Sequence, residues 1–546
     1  MSGAGDRRRE ARRWIERLVQ ELGRADAYPD DVDGPADAVE LIQTHISVVA
    51  LVGSRVYKVK KPLDLAFLDF TTLERRAHFC REEVRLNRRL APDVYLGVVP
   101  VAETPSGLRV EGEGEPVEYA VKMRRLPSEA RLRERVRREE VDAATLASIG
   151  RRIAAFHASA EAGADIARNG RFDVVARQAR ENLEQSRWQA PRLVPPAVLG
   201  ALGTALERRL DELRGAIEAR AAAGVPRDTH GDLHLDHVYL FPDRNPPDDL
   251  VAIDCVEFHE RFRWADPVAD MAFLAMDLAF EGRRDLADAF TGAYFEASAD
   301  EGGRALLPFY VSYRAAVRGK VDGILAASRE VTAEVREGAA RRVRAYWLLA
   351  LAELEDPARR AGLVLVGGLP GTGKTTLATA LARRAGFRVV SSDRVRKELA
   401  GLAPDASAAA AFGRGIYTAE WNDRTYTACL ERAAALLGQG ERVIVDASFR
   451  EDARRAAFLS AAHERGLRAL LLVCTAPDTL ARARIEARPK GASDADASIH
   501  DAVARAWEPP TASVVRRAWR EVPTGGALEE AVECACTHLR EAGLAG

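Results

Sequence analysis

Apolar positions along the chain follow two different rhythms, and the change between them divides it. Trp14, Ile15, Leu18, Val19 and Leu22 recur at helical spacing and stop at Gly23, which predicts a helix over residues 10–22. A connection rich in Pro, Asp and Gly runs on to about residue 36. Two β-branched runs follow at 48–52 and 56–60, and Gly53-Ser54 between them reads as a hairpin turn. A charged helical stretch over 72–90 and strands near 98–101 and 119–123 come next. From about 140 to 350 the spacing is mainly helical, broken by short apolar strands at 238–241 and 250–254. After Glu355-Asp356-Pro357 the texture turns to strand–helix alternation. Apolar runs at 363–366, 388–391, 442–445 and 470–474 each precede a helical segment, the pattern of a doubly wound parallel sheet. An α+β region followed by an α/β domain over 361–546 is therefore expected.

Composition narrows the classes. A chain of 546 residues exceeds one ordinary core, and 47% apolar with 30% charged residues is the balance of a globular protein. A formal net charge of −2 excludes general affinity for nucleic acid or an anionic membrane surface. No apolar run approaches the ~20 residues of a membrane span, and the charged stretch from Arg7 to Arg13 lacks the apolar segment of a signal peptide. Six cysteines at 80, 255, 429, 474, 534 and 536 show no CxxC pairing, so a reducing, cytoplasmic setting is expected. Only eight of the 80 basic residues are lysine: 58, 60, 61, 122, 320, 374, 397 and 490. Where arginine serves nearly every generic positive charge, a lysine hints at phosphate binding by a compact ammonium. Five of the eight fall in or beside candidate phosphate sites.

The clearest chemistry begins at Gly368. Gly368-Leu-Pro-Gly371-Thr372-Gly373-Lys374-Thr375 fits G-x-x-x-x-G-K-[ST] between an apolar run and a helical one, with Thr376 next in the helix. Such a loop turns backbone amides toward phosphate; Lys374 would reach the β- and γ-phosphates of ATP and the Thr375 hydroxyl would ligate Mg²⁺. The next strand ends in Ser391-Ser392-Asp393, and Asp393-x-x-Arg396 places an acid and a guanidinium where open α/β sheets bind ligands. Asp393 could accept a hydroxyl proton while Arg396 holds an anionic part of the acceptor; an N-cap Asp and a solvated Arg would look the same. Asp446 ends its strand as a Walker B-like acid or a cap, and Arg484 and Arg488 stand one helical turn apart as lid candidates. Together with Val445-Asp446-Ala-Ser-Phe and Ser493-Asp494-Ala495, these motifs resemble the small P-loop kinases that include polynucleotide kinase, zeta-toxin-like kinases, chloramphenicol phosphotransferase and gluconate kinase. The resemblance covers 361–546. It implies Asp393 as general base and Arg484 and Arg488 as parts of a lid.

In the longer N-terminal part the dense stretch is His230-Gly231-Asp232-Leu233-His234-Leu235-Asp236-His237, with Asp254 following the strand at 250–254. Asp-x-His-x-Asp-His comes near the His-x-His-x-Asp-His of metallo-β-lactamase-like hydrolases. The first ligand is Asp here, however, and only His259 lies close downstream. His-Gly-Asp and the later Ile-Asp pair resemble the aminoglycoside phosphotransferase-like kinases. The resemblance implies a bilobal, protein-kinase-like α+β fold after the helix and connection of 1–36, with lobes at 37–126 and 127–357. It also implies Asp232 beside the acceptor hydroxyl and Asp254 on Mg²⁺. Lys58 (or Lys60) would meet the α/β-phosphates, Glu83 would brace that lysine, and Met123 would close the hinge between the lobes. Asp266-Pro267-x-x-Asp270 would brace the catalytic loop. One departure stands out: the family's second metal ligand is Asn, and His237 occupies that position. Imidazole suits Mn²⁺ or a softer ion better than Mg²⁺. The whole resembles a bacterial fusion of the two kinase types, with two ATP sites and a small-molecule or nucleotide acceptor. A nucleotide-sensing regulatory protein and an N-terminal metal hydrolase are the other classes the residues admit.

Overall fold

The computed structural model describes residues 2–29, 39–65, 68–328, 331–403, 415–487 and 497–546. Its N-terminal part opens with a helix, Ser2–Leu22, and a six-stranded antiparallel sheet. Across that sheet lie Glu40–Gln43, Ser47–Val52, Arg55–Lys60, Pro116–Arg124, Tyr95–Thr104 and Gly107–Val110. Alternation assigns the two faces. Val48, Ala50, Tyr57 and Val59 turn to Leu18 and Leu22 of the first helix. Val121 and Met123 turn to Cys80 and Val84 of the second helix, Leu73–Asn87, which Thr72 caps by accepting from the Arg75 amide. That helix stops three residues short of the expected 90.

Downstream, a hairpin of Val238–Leu240 and Leu250–Ala252 lies among helices that include Ala143–Ser159 and Pro267–Phe280. The segment 230–237 leads into this hairpin and Asp254 leaves it. The sequence pattern anticipated both strands and missed Glu40–Gln43 and Gly107–Val110, short edge strands of mixed burial.

In the C-terminal part all five strands are parallel, in the order Arg388–Ser391, Arg442–Asp446, Gly362–Gly368, Arg468–Thr475, Trp519–Pro523. The central strand is buried along its whole length, which is why it reads as an unbroken apolar run. Helices Lys374–Ala385 and Leu528–Glu541 cover one face through Leu377, Leu381, Val532 and Leu539. The fifth strand escaped the pattern because only Val522 in it is buried.

Two compact units emerge: residues 1–175, 215–277 and 285–304 form one, and 176–214, 278–284 and 305–546 the other. The change of texture near 357–361 coincides with the end of the helix Ala333–Leu354 and the start of the strand Gly362–Gly368. That helix lies in the second unit with the parallel sheet: a Cβ on Gly466 would come 2.9 Å from Ala345 O and 3.1 Å from Leu349 Cβ. Among the described residues, no helix is long and apolar enough to cross a membrane.

Candidate functional sites

In the second unit the loop between Gly362–Gly368 and Lys374–Ala385 is built for an anion. Gly371 has φ +84°, and a Cβ there would fall 2.3 Å from Ala481 O, so no other residue fits. Side chains engage the loop's carbonyls: Lys374 Nζ donates to Leu369 O (2.8 Å) and Thr524 Oγ1 to Thr372 O (2.6 Å). His500 Nδ1 lies 2.8 Å from Pro370 O, with Nε2 2.6 Å from Asp478 Oδ1. Two loop amides are engaged, Gly368 N donating to Ser448 O (3.1 Å) and Thr372 N to Leu369 O (3.3 Å), so an anion would be met by the other amides of the loop and of the first helical turn.

Below the loop, Thr375 Oγ1 donates to Asp446 Oδ2 at 2.7 Å. Burial raises the Asp446 pKa, the Thr375 hydroxyl and the Lys374 ammonium oppose that rise, and the neighbouring Asp393 charge adds to it. Asp393 sits in the first turn of the helix Ser392–Leu399, about half exposed. Arg396 is buried: its Nη1 is 3.4 Å from Asp393 Oδ1, its Nη2 donates to Asn422 Oδ1 (2.9 Å), and its guanidinium lies 4.7 Å from the Tyr417 ring centre. Arg484 Nη1 donates to Thr524 O (2.9 Å) and would lie 3.8 Å from a Cβ on Gly373, at the mouth of the loop. Arg488 and Ser493-Asp494-Ala495 lie outside the described residues.

In the first unit the site is assembled from distant segments. Lys58 Nζ stands 2.6 Å from Asp254 Oδ1 and 2.9 Å from Glu83 Oε1. Burial disfavours the Lys58 ammonium, but the Asp254 and Glu83 carboxylates outweigh it and hold its pKa well above the ordinary lysine value. Asp254 moves the opposite way: burial would raise it, and the Lys58 ammonium holds it far below the carboxylate range. Of the other N-terminal lysines, Lys60 is fully buried between Glu83 and Glu257, and Lys61 donates to Thr44 O. The geometry therefore puts Lys58, and neither neighbour, beside Asp254. Met123 is next to last in the strand Pro116–Arg124, with its side chain in the core.

Asp270 braces the loop as expected, accepting from the amides of His230 (3.1 Å) and Gly231 (2.7 Å) while touching His157 Nε2 (3.0 Å). His237 Nδ1 lies 3.0 Å from the Asp232 carbonyl oxygen and 3.4 Å from its Oδ2. The carbonyl can only accept, so Nδ1 carries the proton, and the lone pair of Nε2 is left 3.5 Å from Asp254 Oδ2. Burial, then the adjacent His234, lowers the His237 pKa and keeps the ring neutral. Asp232, His234 and His237 each offer a ligand atom within 4.8 Å of the others. The loop thus carries a donor set that suits a borderline cation.

Both sites share a device that sequence reasoning missed. Asp254 (φ +65°), itself the candidate metal acid just past the strand Leu250–Ala252, and Phe449 (φ +50°), just past the strand that ends in Asp446, hold a left-handed backbone that costs on the order of 1 kcal/mol. In each case a tyrosine hydroxyl accepts the strained amide: Tyr95 for Asp254 and Tyr426 for Phe449, both at 3.1 Å. Asn422, His500, Thr524 and Glu257 were also missed; each is an isolated polar residue that only the fold brings to a site.

The phosphotransferase enzyme family matches residues 52–307, and an AAA domain family matches 363–510. The uncharacterized protein Rv2004c of Mycobacterium tuberculosis is 35% identical over 482 residues, covering 88% of this chain and 92% of that one, and Mb2027c of Mycobacterium bovis matches to the same extent. The chain belongs to the family of these mycobacterial proteins. It joins an aminoglycoside phosphotransferase-like domain to a P-loop domain with a parallel sheet, and its class is kinase or phosphotransferase. Among solved structures, the amicoumacin kinase hAmiN is similar at 10% identity over 61% of this chain and 92% of its own, with a TM-score of 0.36. A gluconokinase from Sinorhizobium meliloti 1021 is similar at 20% identity over 34% of this chain and 93% of its own, with a TM-score of 0.25.

Proposed function

We propose that the protein is an ATP-dependent phosphotransferase with two nucleotide sites, whose P-loop domain transfers the γ-phosphate to a hydroxyl of a small molecule or nucleotide. The observation that carries this reading is the Thr375–Asp446 hydrogen bond beneath the loop, with half-exposed Asp393 close enough for its charge to act on Asp446. Gly368, Gly371, Thr372 and Gly373 shape the loop, whose remaining amides, with that of Thr376, take the phosphates, and Lys374 swings from Leu369 O onto the β/γ oxygens. Thr375 and Asp446 would hold Mg²⁺, which neutralises the charge of the transferring group. Asp393 accepts the hydroxyl proton, Arg396 orients an anionic part of the acceptor, and Arg484 and Arg488 close over the phosphoryl group.

In the N-terminal site Lys58, braced by Glu83, takes the α/β-phosphates, and Met123 borders the nucleotide from the strand that joins the lobes. Asp254 and His237 Nε2 would hold the metal, Mn²⁺ at least as readily as Mg²⁺, and Asp232 faces the acceptor hydroxyl. A second reading has one observation in its favour: with His237 where the resemblance implies Asn, this site would sense nucleotide and not transfer phosphate. Labelled ATP offered with a metabolite extract to the full-length protein, to Lys374→Ala and to Asp254→Ala separates the cases. A product lost only in Lys374→Ala belongs to the P-loop site, and one lost only in Asp254→Ala belongs to the other. No labelled product from any of the three, under any metal, would overturn the reading.

A further inference from the structure

The lysine that does not face the N-terminal site has the more unusual surroundings. Glu83 is fully buried and divides its carboxylate, Oε1 to Lys58 at 2.9 Å and Oε2 to Lys60 at 2.7 Å. Lys58 continues to Asp254 at 2.6 Å, and Lys60 continues to Glu257. The result is a five-member row of alternating charge, Asp254–Lys58–Glu83–Lys60–Glu257, tying the strand Arg55–Lys60, the helix Leu73–Asn87 and the loop after Leu250–Ala252. Its two ends differ. The Asp254 side chain is 43% exposed and that of Lys58 13%, whereas Lys60 is at 0% and Glu257 at 4%. One end can meet a ligand and the other cannot.

That asymmetry has a consequence for nucleotide binding, granted the reading of this site given above. Phosphate and metal must draw Lys58 and Asp254 away from each other. A bracing glutamate held only by Lys58 would lose its anchor at that moment, because removing one partner of a buried pair leaves the other charge uncompensated. Here Glu83 keeps a second, permanent partner. We propose that Lys60 and Glu257 are positioning residues for the N-terminal nucleotide site: they fix Glu83, and through it Lys58, whether or not phosphate is bound. The site is therefore assembled before nucleotide arrives, without any swing of the helix that carries Glu83. Neither residue touches the ligand. Their effect reaches only the part of the nucleotide that Lys58 holds.

The test uses full-length protein carrying Lys374→Ala, which weakens ATP at the P-loop site, with ATP and adenosine as probes titrated in Mn²⁺ or Mg²⁺ and each further variant read as its change from that parent. Glu257→Gln should weaken ATP roughly 10–100-fold, the usual weight of a supporting partner, and leave adenosine affinity unchanged. Glu257→Asp keeps the charge but withdraws it, and should fall between wild type and Glu257→Gln for ATP, again without effect on adenosine. It also serves if Glu257→Gln does not fold. Equal loss of ATP and adenosine affinity would mean that the row only holds the lobe together, and unchanged ATP affinity would mean that Glu83 needs no second anchor; either result overturns the proposal. If the Lys374→Ala parent binds neither probe, the nucleotide reading of this site has failed instead, which is a separate outcome.

Discussion

In the proposed reading the two sites answer one problem, holding a polyphosphate, with opposite materials. The P-loop site uses backbone: eight consecutive residues from Gly368 to Thr375, their carbonyls engaged by Lys374, Thr524 and His500. The N-terminal site uses side-chain charge, with Lys58, Glu83, Asp232, His237 and Asp254 gathered from positions nearly 200 residues apart. Backbone amides stay poised whatever neighbouring side chains do, so such a site depends on loop shape and on a single lysine. A site made of opposed charges is self-neutralised until the ligand arrives, and its strength depends on how those charges are re-paired. The first should fail at single residues; the second should respond to partners and to the metal.

The largest expected effect is Lys374→Ala, which should abolish transfer by the P-loop site in the full-length protein while thermal stability holds. A folded variant that turns over an identified acceptor normally would break the assignment. Next comes Asp393→Asn, expected to lower kcat by about 10²–10⁴-fold with ATP affinity nearly unchanged. Loss of ATP affinity at normal kcat would move Asp393 to the nucleotide side. On the charge-built site, Asp254→Ala should remove metal-dependent ATP binding, whereas Asp232→Asn should spare binding and stop transfer. His237→Asn should turn the metal preference from Mn²⁺ toward Mg²⁺; identical metal titrations of the variant and wild type would return His237 to a packing role.

The smallest effect leaves the chemistry alone. Burial pushes His230, in the first unit, and His463, in the second, down from the ordinary 6.5 to about 4. Between those values the unfolded chain binds protons that the folded one refuses, so stability rises with pH across the window and is lost as pH falls through it. Urea midpoints should drop from pH 6.5 toward 4, and His463→Gln should flatten part of that slope; an unchanged slope would show that His463 is not held neutral.

This contrast also explains what could be read in advance. The P-loop, its strand and its helix were legible because one contiguous motif specifies them, flanked by fully buried parallel strands that read as plain apolar runs. Asp270, Lys58 and Glu83 were placed through family resemblance, and the geometry brings each to its expected neighbour. Lys60 was weighed beside Lys58 through the same resemblance and Lys61 on composition alone, and the structure gives both other partners. Glu257, Asn422 and Thr524 carry no local pattern: their partners lie 197, 26 and 152 residues away, and only tertiary folding creates those contacts. The edge strand Trp519–Pro523 left no apolar signature for the same reason, since solvent covers most of it.

The helix Ala333–Leu354 sets a limit on dissecting the gene. Its C-terminal half, from Ala345 to Leu354, is buried without interruption, and Trp347 Nε1 donates to Gln189 Oε1 at 2.8 Å. Leu348 and Val198 both lie near Gly440, and Ala345 and Leu349 near Gly466, so two helical stretches far apart in sequence form a wall against which the parallel sheet's connecting loops rest. A cut at 357–361 would look clean on paper yet strip that wall from the P-loop domain, leaving a greasy scar on each product. Expressed alone, residues 361–546 are expected to be poorly soluble. A durable excision would carry 176–214 and 305–354 along, which no single pair of restriction points can deliver.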